Sequence, residues 1–533
     1  MTPSNKTFGR VILVGVDGAT WRVLAPWAKA GKLPAFKRMM AAGAFGPLES
    51  TLPPNSPPAW TSIFTGSNPG RHGIFGFVKR KEGSYFVTPI SSRDRKVPPI
   101  WGTLTEAGKG CVLLNIPFSY PPDHVKGLMT TGLGTPSKGS EFVHPKGRRK
   151  DILGQFPDYD VDFSEDTIEL GAEKDPLGQI HRITKAQVGL AKHLFTSEDW
   201  DLFSVVFRSV DVVQHYYWKK KAAVLGAYRQ IDAFLDWILD HMDKKDVLLI
   251  CSDHGFGPVR KCFNVNNWLE SIDLFHISTA QRKRAKPRLS AEKVQTLLLR
   301  LGLRDLVWKL KRSDLLEPVL RGLVRSENAS YMFDIEWQRT KAYLVEGSLG
   351  LVNLNLRGRE PRGIVRPKEK ETVLRKLEQE ASKLKDPSTD SKVIERIYRG
   401  DDVFKGGSAE APDLVLVPAE GYRLVGKYDP GRRLFGKETL RFGEHERYGV
   451  FLACGAGVRR GHAFDKASVL DLTPTMLYVL GLPGGPHIDG RVLMDIFEDD
   501  FKKGRRTDLP RDGARRRTLA EMERIKRAVG RIR

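Results

Sequence analysis

Acidic and imidazole side chains follow three apolar runs of this sequence, at the positions where predicted strands end. The runs cover 11–17, 202–211 and 247–253; each ends in an aspartate, and His215 and His254 follow the second and third runs. Short apolar runs that end in Gly, Asp and turn residues are typical of buried parallel strands in an α/β sheet. Ligands bind beyond the carboxyl ends of such strands, so three carboxylates and two imidazoles are expected to converge. This set of donors, which contains no thiolate, favours zinc or manganese and predicts a metal-dependent active site.

Each motif also has an ordinary structural explanation. An aspartate after a strand is commonly a helix N-cap or a turn residue, which would account for Asp17. Asp211 and His215 are four residues apart and could form an exposed pair on a helix. Asp253 and His254 precede a Gly-x-Gly turn, where an adjacent acid and imidazole have little structural purpose unless both face a site. The occurrence of three such motifs in one chain favours metal binding.

A proline-rich segment between the first two runs contains a candidate nucleophile. Residues 51–66 include four prolines, which fix the backbone and remove amide donors. The apolar positions after them predict a helix with Ser56 at or near its N-terminus. The positive end of the helix dipole favours a phosphate or a metal-bound alkoxide there. The alternative is that Ser56 is only an N-cap residue.

Taken in chain order, these motifs resemble those of a known family. They are Asp17, Pro53–Gly66, Pro69–Gly73, Asp211 with His215, Asp253 with His254, and Gly443–His445. The resemblance is to the type I phosphodiesterase/nucleotide pyrophosphatase family of the alkaline phosphatase superfamily, and it runs from about residue 10 to about residue 495. It implies an α/β fold of the alkaline-phosphatase type, with a largely parallel central sheet flanked by helices and a helical cap insertion.

The resemblance also implies two divalent metal ions, zinc first and manganese second. The first ion would be bound by Asp17, Asp253, His254 and the Ser56 hydroxyl, and the second by Asp211, His215 and His445. Ser56 would be the catalytic nucleophile, because a metal ion lowers the pKa of a serine hydroxyl that is otherwise a weak nucleophile. Its attack on phosphorus would form a phosphoseryl intermediate that water then hydrolyses. His445 is named by the resemblance alone, and His72 is expected to stabilise a turn.

The chain departs from the family pattern at two positions. Ser56 stands where the eukaryotic members commonly have threonine, and Phe77 stands near the position of an asparagine that holds a phosphate oxygen. The phosphate contact is therefore expected from other residues, for which Asn55 and Arg208 are the candidates. The segment 56–60 lacks the maturation signature of sulfatases, which disfavours that branch of the superfamily.

The expected function is a metal-dependent phosphoester hydrolase that acts on phosphodiester or nucleotide pyrophosphate bonds of an anionic substrate. The alternatives within the superfamily are a phosphomonoesterase, a phosphonate hydrolase and a phosphoglycerate-mutase-like enzyme, because these share the metal ligands. An alternative of another class is a catalytically idle protein that binds a phosphorylated ligand. The complete set of ligands, together with a nucleophile, disfavours this last reading.

Residues 1–500 are expected to form one catalytic domain, because the candidate ligands run from position 17 to position 445 and must close around one site. Within this domain, residues 265–345 are predicted to be a helical cap insertion. Residues 501–533 form a basic C-terminal tail, in which 13 Lys and Arg residues stand against 4 acidic residues.

The net charge of +23 indicates anionic partners. The basic segments could steer an anionic substrate, contact an anionic membrane surface or simply be solvated, and no nucleic-acid-binding motif is apparent. Four scattered cysteines without a Cys-x-x-Cys pair are expected to be buried thiols in a reducing compartment. No signal-peptide region or long apolar run is present, so a cytoplasmic location is expected. The oligomeric state stays open.

Overall fold

A computed structural model describes residues 9–278 and 335–503, apart from 164, 166–167, 169–172, 346–348, 427, 430 and 438–439. The strands, in chain order, are β1 Val11–Val16, β2 Ala44–Glu49, β3 Val78–Arg80, β4 Val87–Pro89, β5 Cys111–Ile116, β6 Gly127–Thr131, β7 Val143–His144, β8 Leu202–Phe207, β9 Val247–Cys251, β10 Gly255–Asn264, β11 Ala342–Leu344, β12 Leu351–Leu354, β13 Ile394–Arg399, β14 Leu414–Pro418, β15 Gly421–Val425, β16 Phe435–Lys437, β17 Gly443–Glu446, β18 Tyr448–Gly455, β19 His462–Ala463 and β20 Ala467–Ser468. The helices are α1 Trp21–Lys29, α2 Pro34–Ala42, α3 Ser56–Thr65, α4 Pro69–His72, α5 Ile100–Glu106, α6 Arg148–Gln155, α7 Pro176–Ser197, α8 Ser209–Tyr217, α9 Lys221–His241, α10 Val265–Ser271, α11 Pro367–Ser382, α12 Gly400–Val403, α13 Leu472–Leu480 and α14 Asp499–Lys502.

The apolar runs predicted as strands lie at the centre of a ten-stranded sheet. Its order is β19-β2-β18-β9-β1-β8-β5-β6-β7, and β20 pairs with β2. The five strands from β9 to β6 are parallel to one another, whereas β18 and β7 run antiparallel to their neighbours. The prediction of an α/β fold with a largely parallel central sheet is confirmed.

Helices cover both faces of this sheet, because successive side chains of a strand point to opposite faces. In β1, Ile12, Val14 and Val16 face a core that α1, α2, α7 and α9 complete. Val11 and Leu13 face the opposite core, which α3, α5 and α13 complete. Burial on both faces explains why the central strands are uniformly apolar.

A second lobe with its own hydrophobic core follows β9 in the chain. It contains the sheet β15-β10-β16, with β17 also pairing with β10, and the antiparallel sheet β11-β12-β14-β13. Trp268, Tyr343 and Leu377 belong to its core. Of the predicted cap insertion at 265–345, helix α10 and strand β11 are described, while 279–334 lie outside the described residues. Most of the predicted tail, 504–533, also lies outside them, so both domain assignments stay predictions.

Two features of the chain bear on its surroundings. No disulfide joins any two of the four cysteines, all of which are described, and Cys111, Cys251 and Cys454 are buried. Among the described helices, none combines the length and the apolar composition that a membrane span requires.

Candidate active site

The candidate ligands lie at the carboxyl-terminal edge of the central sheet. Asp17 directly follows β1, and Asp253 and His254 lie just after β9, the strand next to β1. His445 comes from β17, which pairs antiparallel with β10 so that His445 lies opposite Phe256. This pairing explains how a residue of the second lobe reaches the edge of the central sheet.

Asp211 and His215 occupy a helix rather than the end of a strand. The run predicted as a strand over 202–211 ends at Phe207, and α8 begins at Ser209. The chain changes from strand to helix at Arg208, whose backbone angles are those of a right-handed helix. Asp211 and His215, four residues apart, therefore share one face of α8.

Ser56 is the first residue of α3, and Asn55, in an extended conformation, is the N-cap residue. The Asn55 side chain makes no capping hydrogen bond, and Oγ of Ser56 lies 3.2 Å from Nε2 of His254. Pro57 and Pro58 fit here because the first positions of a helix need no backbone N–H donor. The proline-rich sequence thus builds a rigid helix start that presents the Ser56 hydroxyl to the site.

The first predicted group of ligands is brought together around His254. Its Nε2 lies 3.6 Å from Oδ1 of Asp17 and 3.3 Å from Oδ2 of Asp253. Trp60 of α3 fixes the other oxygen of Asp17, because its Nε1–H donates to Oδ2 at 3.0 Å. The backbone N–H of Gly18 donates to Oδ1 of Asp253 at 3.2 Å. Each carboxylate is thus oriented by one hydrogen bond, with its second oxygen directed at the imidazole.

The second predicted group is brought together around Asp211. Its Oδ1 lies 3.4 Å from Nε2 of His215 and 3.5 Å from Nε2 of His445, and these two nitrogens are 3.0 Å apart. Two sets of donor atoms could each hold a metal ion, because the atoms within a set lie within 4.8 Å of one another. One set comes from Asp211, His215 and His445, and the other from Asp17, Asp211 and His254. Asp211 belongs to both sets, so it is the side chain that joins the two groups.

All three imidazoles have the same tautomer, as their backbone contacts show. The Nδ1 atoms of His215, His254 and His445 lie 3.0–3.1 Å from the carbonyl oxygens of Gly443, Gly255 and Pro54. A carbonyl oxygen only accepts, so each Nδ1 must carry the proton. The backbone thus uses Nδ1 of each ring and leaves the three Nε2 atoms facing one region, which is the arrangement of histidines whose second nitrogen is oriented for metal binding.

The charges of the site are unbalanced without a cation. Burial and the neighbouring Asp253 and Asp211 raise the pKa of Asp17 well above its ordinary value. Burial and Asp211 raise the pKa of Asp253 to about 6. Burial alone would raise the pKa of Asp211, but His215, His445 and Arg208 lower it well below its ordinary value. Crowded buried carboxylates of this kind are stabilised by an added positive charge.

Two of the three histidines are neutral in this environment, and the third is favoured in its protonated form by the neighbouring carboxylates. Burial lowers the pKa of His254 to about 3 and that of His215 to about 4. Burial also acts against protonation of His445, but Asp211 and Glu444 outweigh it and raise the pKa of His445. Three carboxylate oxygens have no hydrogen-bond partner among the described residues: Oδ1 of Asp17, Oδ1 of Asp211 and Oδ2 of Asp253. Unpaired buried carboxylate oxygens beside the neutral imidazoles of His215 and His254 fit a divalent metal ion.

The sequence model of the type I phosphodiesterase/nucleotide pyrophosphatase family matches residues 11–446, a span that contains every candidate ligand. The chain belongs to this family. It is accordingly a hydrolase that acts on phosphoric ester bonds. No curated protein matches the sequence.

Solved structures of similar fold include two kinds of enzyme. Human ectonucleotide pyrophosphatase/phosphodiesterase 5 is 13% identical with a TM-score of 0.52, and the alignment covers 92% of this chain and 100% of that chain. The murine protein, solved as an inactive variant in complex with AMP, is 12% identical with a TM-score of 0.53 and the same coverage. Phosphonoacetate hydrolase from Sinorhizobium meliloti 1021, solved with phosphonoformate, is 16% identical with a TM-score of 0.53, and the alignment covers 89% of this chain and 96% of that chain. At these identities the likeness shows a shared fold.

In this family member, Arg208 is a buried cation surrounded by carboxylates. Its guanidinium contacts Asp162, Glu165 and Asp211, the last at 3.4 Å, and its Nε lies 3.9 Å from Oδ2 of Asp17. Burial by itself would raise the pKa of Glu165, but Arg208 and Arg441 lower it to about 2. Sequence reasoning missed Asp162 and Glu165, because they lie 46 and 43 residues before Arg208 in a polar segment with no spacing signal.

Asn55 and His72 show how differently two buried polar residues can be used. Neither side-chain amide atom of Asn55 has a hydrogen-bond partner among the described residues, although the residue is fully buried beside Ser56. His72, in contrast, is occupied at both nitrogens: Nδ1 accepts from the Ile74 N–H at 3.1 Å, and Nε2 lies 3.0 Å from Oγ of Ser62. The expected turn-stabilising role of His72 agrees with these contacts.

Proposed function

We propose that this protein is a metal-dependent phosphoester hydrolase in which Ser56 attacks phosphorus and forms a phosphoseryl intermediate. The observation that supports this most is the convergence of three Nε2 atoms and three incompletely paired carboxylates, together with the contact between the Ser56 hydroxyl and His254. Phosphodiester and nucleotide pyrophosphate bonds are the first choice of substrate, because these are the bonds that name the family.

Seven residues would hold two divalent cations, zinc first and manganese second. The first ion would be bound by Asp17, Ser56, Asp253 and His254, and the second by Asp211, His215 and His445. When bound, the two ions supply Lewis acidity that lowers the pKa of the Ser56 hydroxyl and stabilises negative charge on the phosphoryl oxygens. The position of Asp211 between the groups suits a pair of ions that lie close together.

The protein's own residues position the reacting groups. The Ser56 hydroxyl gives up its proton and bonds to phosphorus while the bond from phosphorus to the ester oxygen breaks, and the departing oxygen takes up a proton. Water later hydrolyses the phosphoseryl bond, which releases the phosphate product and restores the Ser56 hydroxyl. The rigid start of α3 holds the Ser56 oxygen at one point, and the positive end of the helix dipole faces the phosphoryl group. Trp60 keeps Asp17 in place through its hydrogen bond.

Two residues are proposed to contact the phosphoryl oxygens. The amide of Asn55 is buried next to Ser56 without a partner among the described residues, so its Nδ2–H₂ group is available to donate. Arg208 has its terminal nitrogens engaged by carboxylates, while its Nε lacks a hydrogen-bond partner among the described residues. We assign Asn55 the direct contact, and Arg208 a contact through Nε together with its long-range positive charge.

A direct test uses the purified protein after removal of metal with a chelator. Hydrolysis of bis-p-nitrophenyl phosphate should disappear on chelation and return with Zn²⁺ or Mn²⁺. Comparison with p-nitrophenyl phosphate distinguishes a diesterase from a monoesterase, which is the alternative within the superfamily. Full hydrolysis of both substrates by the chelated protein would contradict the metal-dependent mechanism.

The remaining partner predictions concern segments outside the described residues. Steering of an anionic substrate and contact with an anionic membrane both depend on basic residues of 279–334 and 504–533. Deletion of 504–533 distinguishes them: loss of vesicle co-sedimentation with unchanged kinetics on a soluble substrate would favour the membrane, and a lower, salt-sensitive kcat/KM would favour steering. The cytoplasmic location also stays a prediction.

A further inference from the structure

Three consecutive exposed lysines lie at the junction of α8 and α9, and each covers an aromatic ring. The pairs, with the distance from Nζ to the ring centroid, are Lys219–Phe442 at 4.6 Å, Lys220–Tyr217 at 5.4 Å and Lys221–Trp218 at 4.1 Å. These six residues are called the lysine–aromatic patch. A lysine that lies over a ring buries its methylene chain and keeps its ammonium group in water. The patch therefore presents three positive charges on an apolar base.

No carboxylate in the described part of the chain forms a salt bridge with any of these three lysines. The acidic side chains nearby pair with arginines instead. Arg22, which lies beside the patch, binds Glu420 at 3.3 Å and Glu446 at 2.9 Å. Asp175, on the other side, lies 3.7 Å from Arg182. The charge of the patch is thus available to an anionic partner.

The patch lies at the same edge of the central sheet as the candidate ligands. Helix α9 packs against the sheet through residues such as Ile231 and Phe234, and its 21 residues span about 30 Å. It ends at His241, shortly before β9 begins at Val247, so this end lies at the amino-terminal edge of the parallel strands. Lys221, at the opposite end of α9, therefore lies at the carboxyl-terminal edge.

Two contacts connect the patch with the second group of ligands. The Phe442 N–H donates to the carbonyl oxygen of His215 at 2.7 Å. The ring of Trp218 stacks on Phe256 with centroids 5.8 Å apart, and the Phe256 ring lies 4.8 Å from that of His215. Leu440, two residues before Phe442, is 51% exposed and adds an apolar side chain to this margin of the site.

From these observations we propose that the lysine–aromatic patch docks the protein on an anionic phospholipid membrane, with the carboxyl-terminal edge of the central sheet facing the bilayer. Lysines are attracted by acidic headgroups, and Tyr and Trp rings are favoured at the level of the headgroups. Leu440 would enter the same layer. This contact differs from the one expected of the basic tail, because it belongs to the folded domain and fixes the orientation of the site. It does not depend on the reaction proposed for Ser56.

A single-stranded nucleic acid is the other polyanion that a basic and aromatic surface can bind. Its bases stack on open aromatic faces. In the patch, a lysine already lies over each ring, and Trp218 is only 6% exposed. A membrane needs only the ammonium groups and an apolar contact, so these features favour the membrane.

The test is co-sedimentation of the full-length protein with vesicles of phosphatidylcholine, with and without phosphatidylserine. The wild-type protein should bind only the vesicles that contain phosphatidylserine. The combined variant Lys219→Gln, Lys220→Gln and Lys221→Gln should lower the partition coefficient by at least about tenfold, because each lysine near an anionic surface contributes to binding. Leu440→Ser should lower it by about threefold.

The matched control is the combined variant Lys29→Gln, Lys32→Gln and Lys37→Gln. It removes three exposed lysines of the α1–α2 region, where Arg38 pairs with Asp240 near the end of α9. The control should keep the wild-type partition coefficient, although its net charge equals that of the patch variant. Every variant retains the basic tail, so a difference between them reports the patch. Circular dichroism and the melting temperature should be those of the wild type in both combined variants.

Three results would overturn the proposal. One is failure of the wild-type protein to bind the phosphatidylserine vesicles, and another is equal binding by the patch variant and the control. The third is binding of oligothymidylate that is lost in the patch variant while vesicles are not bound, which would assign the patch to nucleic acid. None of these measurements uses hydrolysis, so a failure of the proposed function would be seen separately in the assays with bis-p-nitrophenyl phosphate.

Discussion

The carboxyl edge of the central sheet and the end of α4 each contain a fully buried histidine, and the two differ in what surrounds the second nitrogen. Burial lowers the pKa of both His254 and His72 to about 3. At the end of α4, Nε2 of His72 contacts the hydroxyl of Ser62 and Nδ1 accepts a backbone N–H. At the sheet edge, only Nδ1 of His254 is used by the backbone, and Nε2 faces a serine hydroxyl and two carboxylates.

The comparison teaches that burial and a shifted pKa do not by themselves identify a ligand. Nε2 of each histidine contacts a serine hydroxyl, so the difference lies in the carboxylates. At the sheet edge, Asp17 and Asp253 each direct at His254 an oxygen that has no hydrogen-bond partner among the described residues, and such a group of oxygens around a neutral histidine can bind a cation.

The largest expected effect is that of removing the nucleophile. Ser56→Ala should lower kcat by at least about a thousandfold, because no other hydroxyl of the described site replaces the one lost. Its metal content, measured by mass spectrometry of the gel-filtered protein, should stay close to that of the wild type, since the carboxylates and imidazoles remain. Near-wild-type turnover would show that Ser56 is not the attacking group.

The matched pair His254→Gln and His72→Gln tests the comparison itself. His254→Gln should lose bound metal and lower kcat/KM by about a hundredfold or more, because one ligand of the first group is gone. His72→Gln should retain the wild-type metal stoichiometry and much of the activity. Loss of metal in His72→Gln with an intact fold would remove the distinction between the two regions.

Arg208→Gln tests how strongly the sheet edge depends on its internal cation. Removing one partner of a buried ionic cluster costs about 3–5 kcal/mol, because the other charges stay buried and unpaired. Urea unfolding of the metal-free protein at neutral pH measures this loss.

Arg10→Gln is the control, since Arg10 pairs with Asp246 near the start of β1, and its side chain is 27% exposed against 7% for Arg208. Its effect should be smaller, about 1 kcal/mol. Equal losses of unfolding free energy in the two variants would show that deeper burial of the Arg208 cluster does not increase the cost of removing its cation.

The smallest expected effect concerns pH. The pKa of His72 is lowered to about 3 in the folded protein, so below about pH 6.5 the unfolded chain takes up a proton that the folded chain refuses. Its contribution to stability is complete well above pH 6.5 and is lost as the pH falls towards 3, with a slope that approaches about 1.4 kcal/mol per pH unit about one unit below pH 6.5.

The difference in unfolding free energy between wild type and His72→Gln should therefore shrink by about 1 kcal/mol between pH 6.5 and pH 5.5, because the unfolded histidine is already half protonated at pH 6.5. Urea titrations of both proteins at the two pH values measure it. A difference independent of pH would show that His72 is protonated in the fold or makes no net contribution.

Much of the fold could be predicted because the central strands are apolar along their whole length. A strand buried on both faces has no polar alternation, which made β1, β8 and β9 visible as runs and placed Asp17 and Asp253 at their ends. The boundary of β8 was less accurate: the predicted strand continued to Asp211, while the structure turns into a helix after Arg208. Val210, Val212 and Val213 are as apolar as a strand because α8 is itself buried.

The second lobe and the partners of Arg208 were not predictable in the same way. His445 has no local signal of its own, and its place depends on the pairing of β17 with β10 across a long stretch of chain. Asp162 and Glu165 are ordinary acidic residues until the fold brings them to a buried guanidinium.

By itself, the sequence determined the central sheet, the chemical types of the donors and the rigid start of α3, because apolar runs, strand-end residues and prolines act within a few neighbours. Only the tertiary structure decided which imidazole nitrogens face the site and which carboxylate joins the two groups. These properties depend on backbone carbonyls and side chains that are distant in sequence, such as Gly443 beside His215 and Asp162 beside Arg208. Local sequence sets conformational preference, but convergence at a site requires the packed chain.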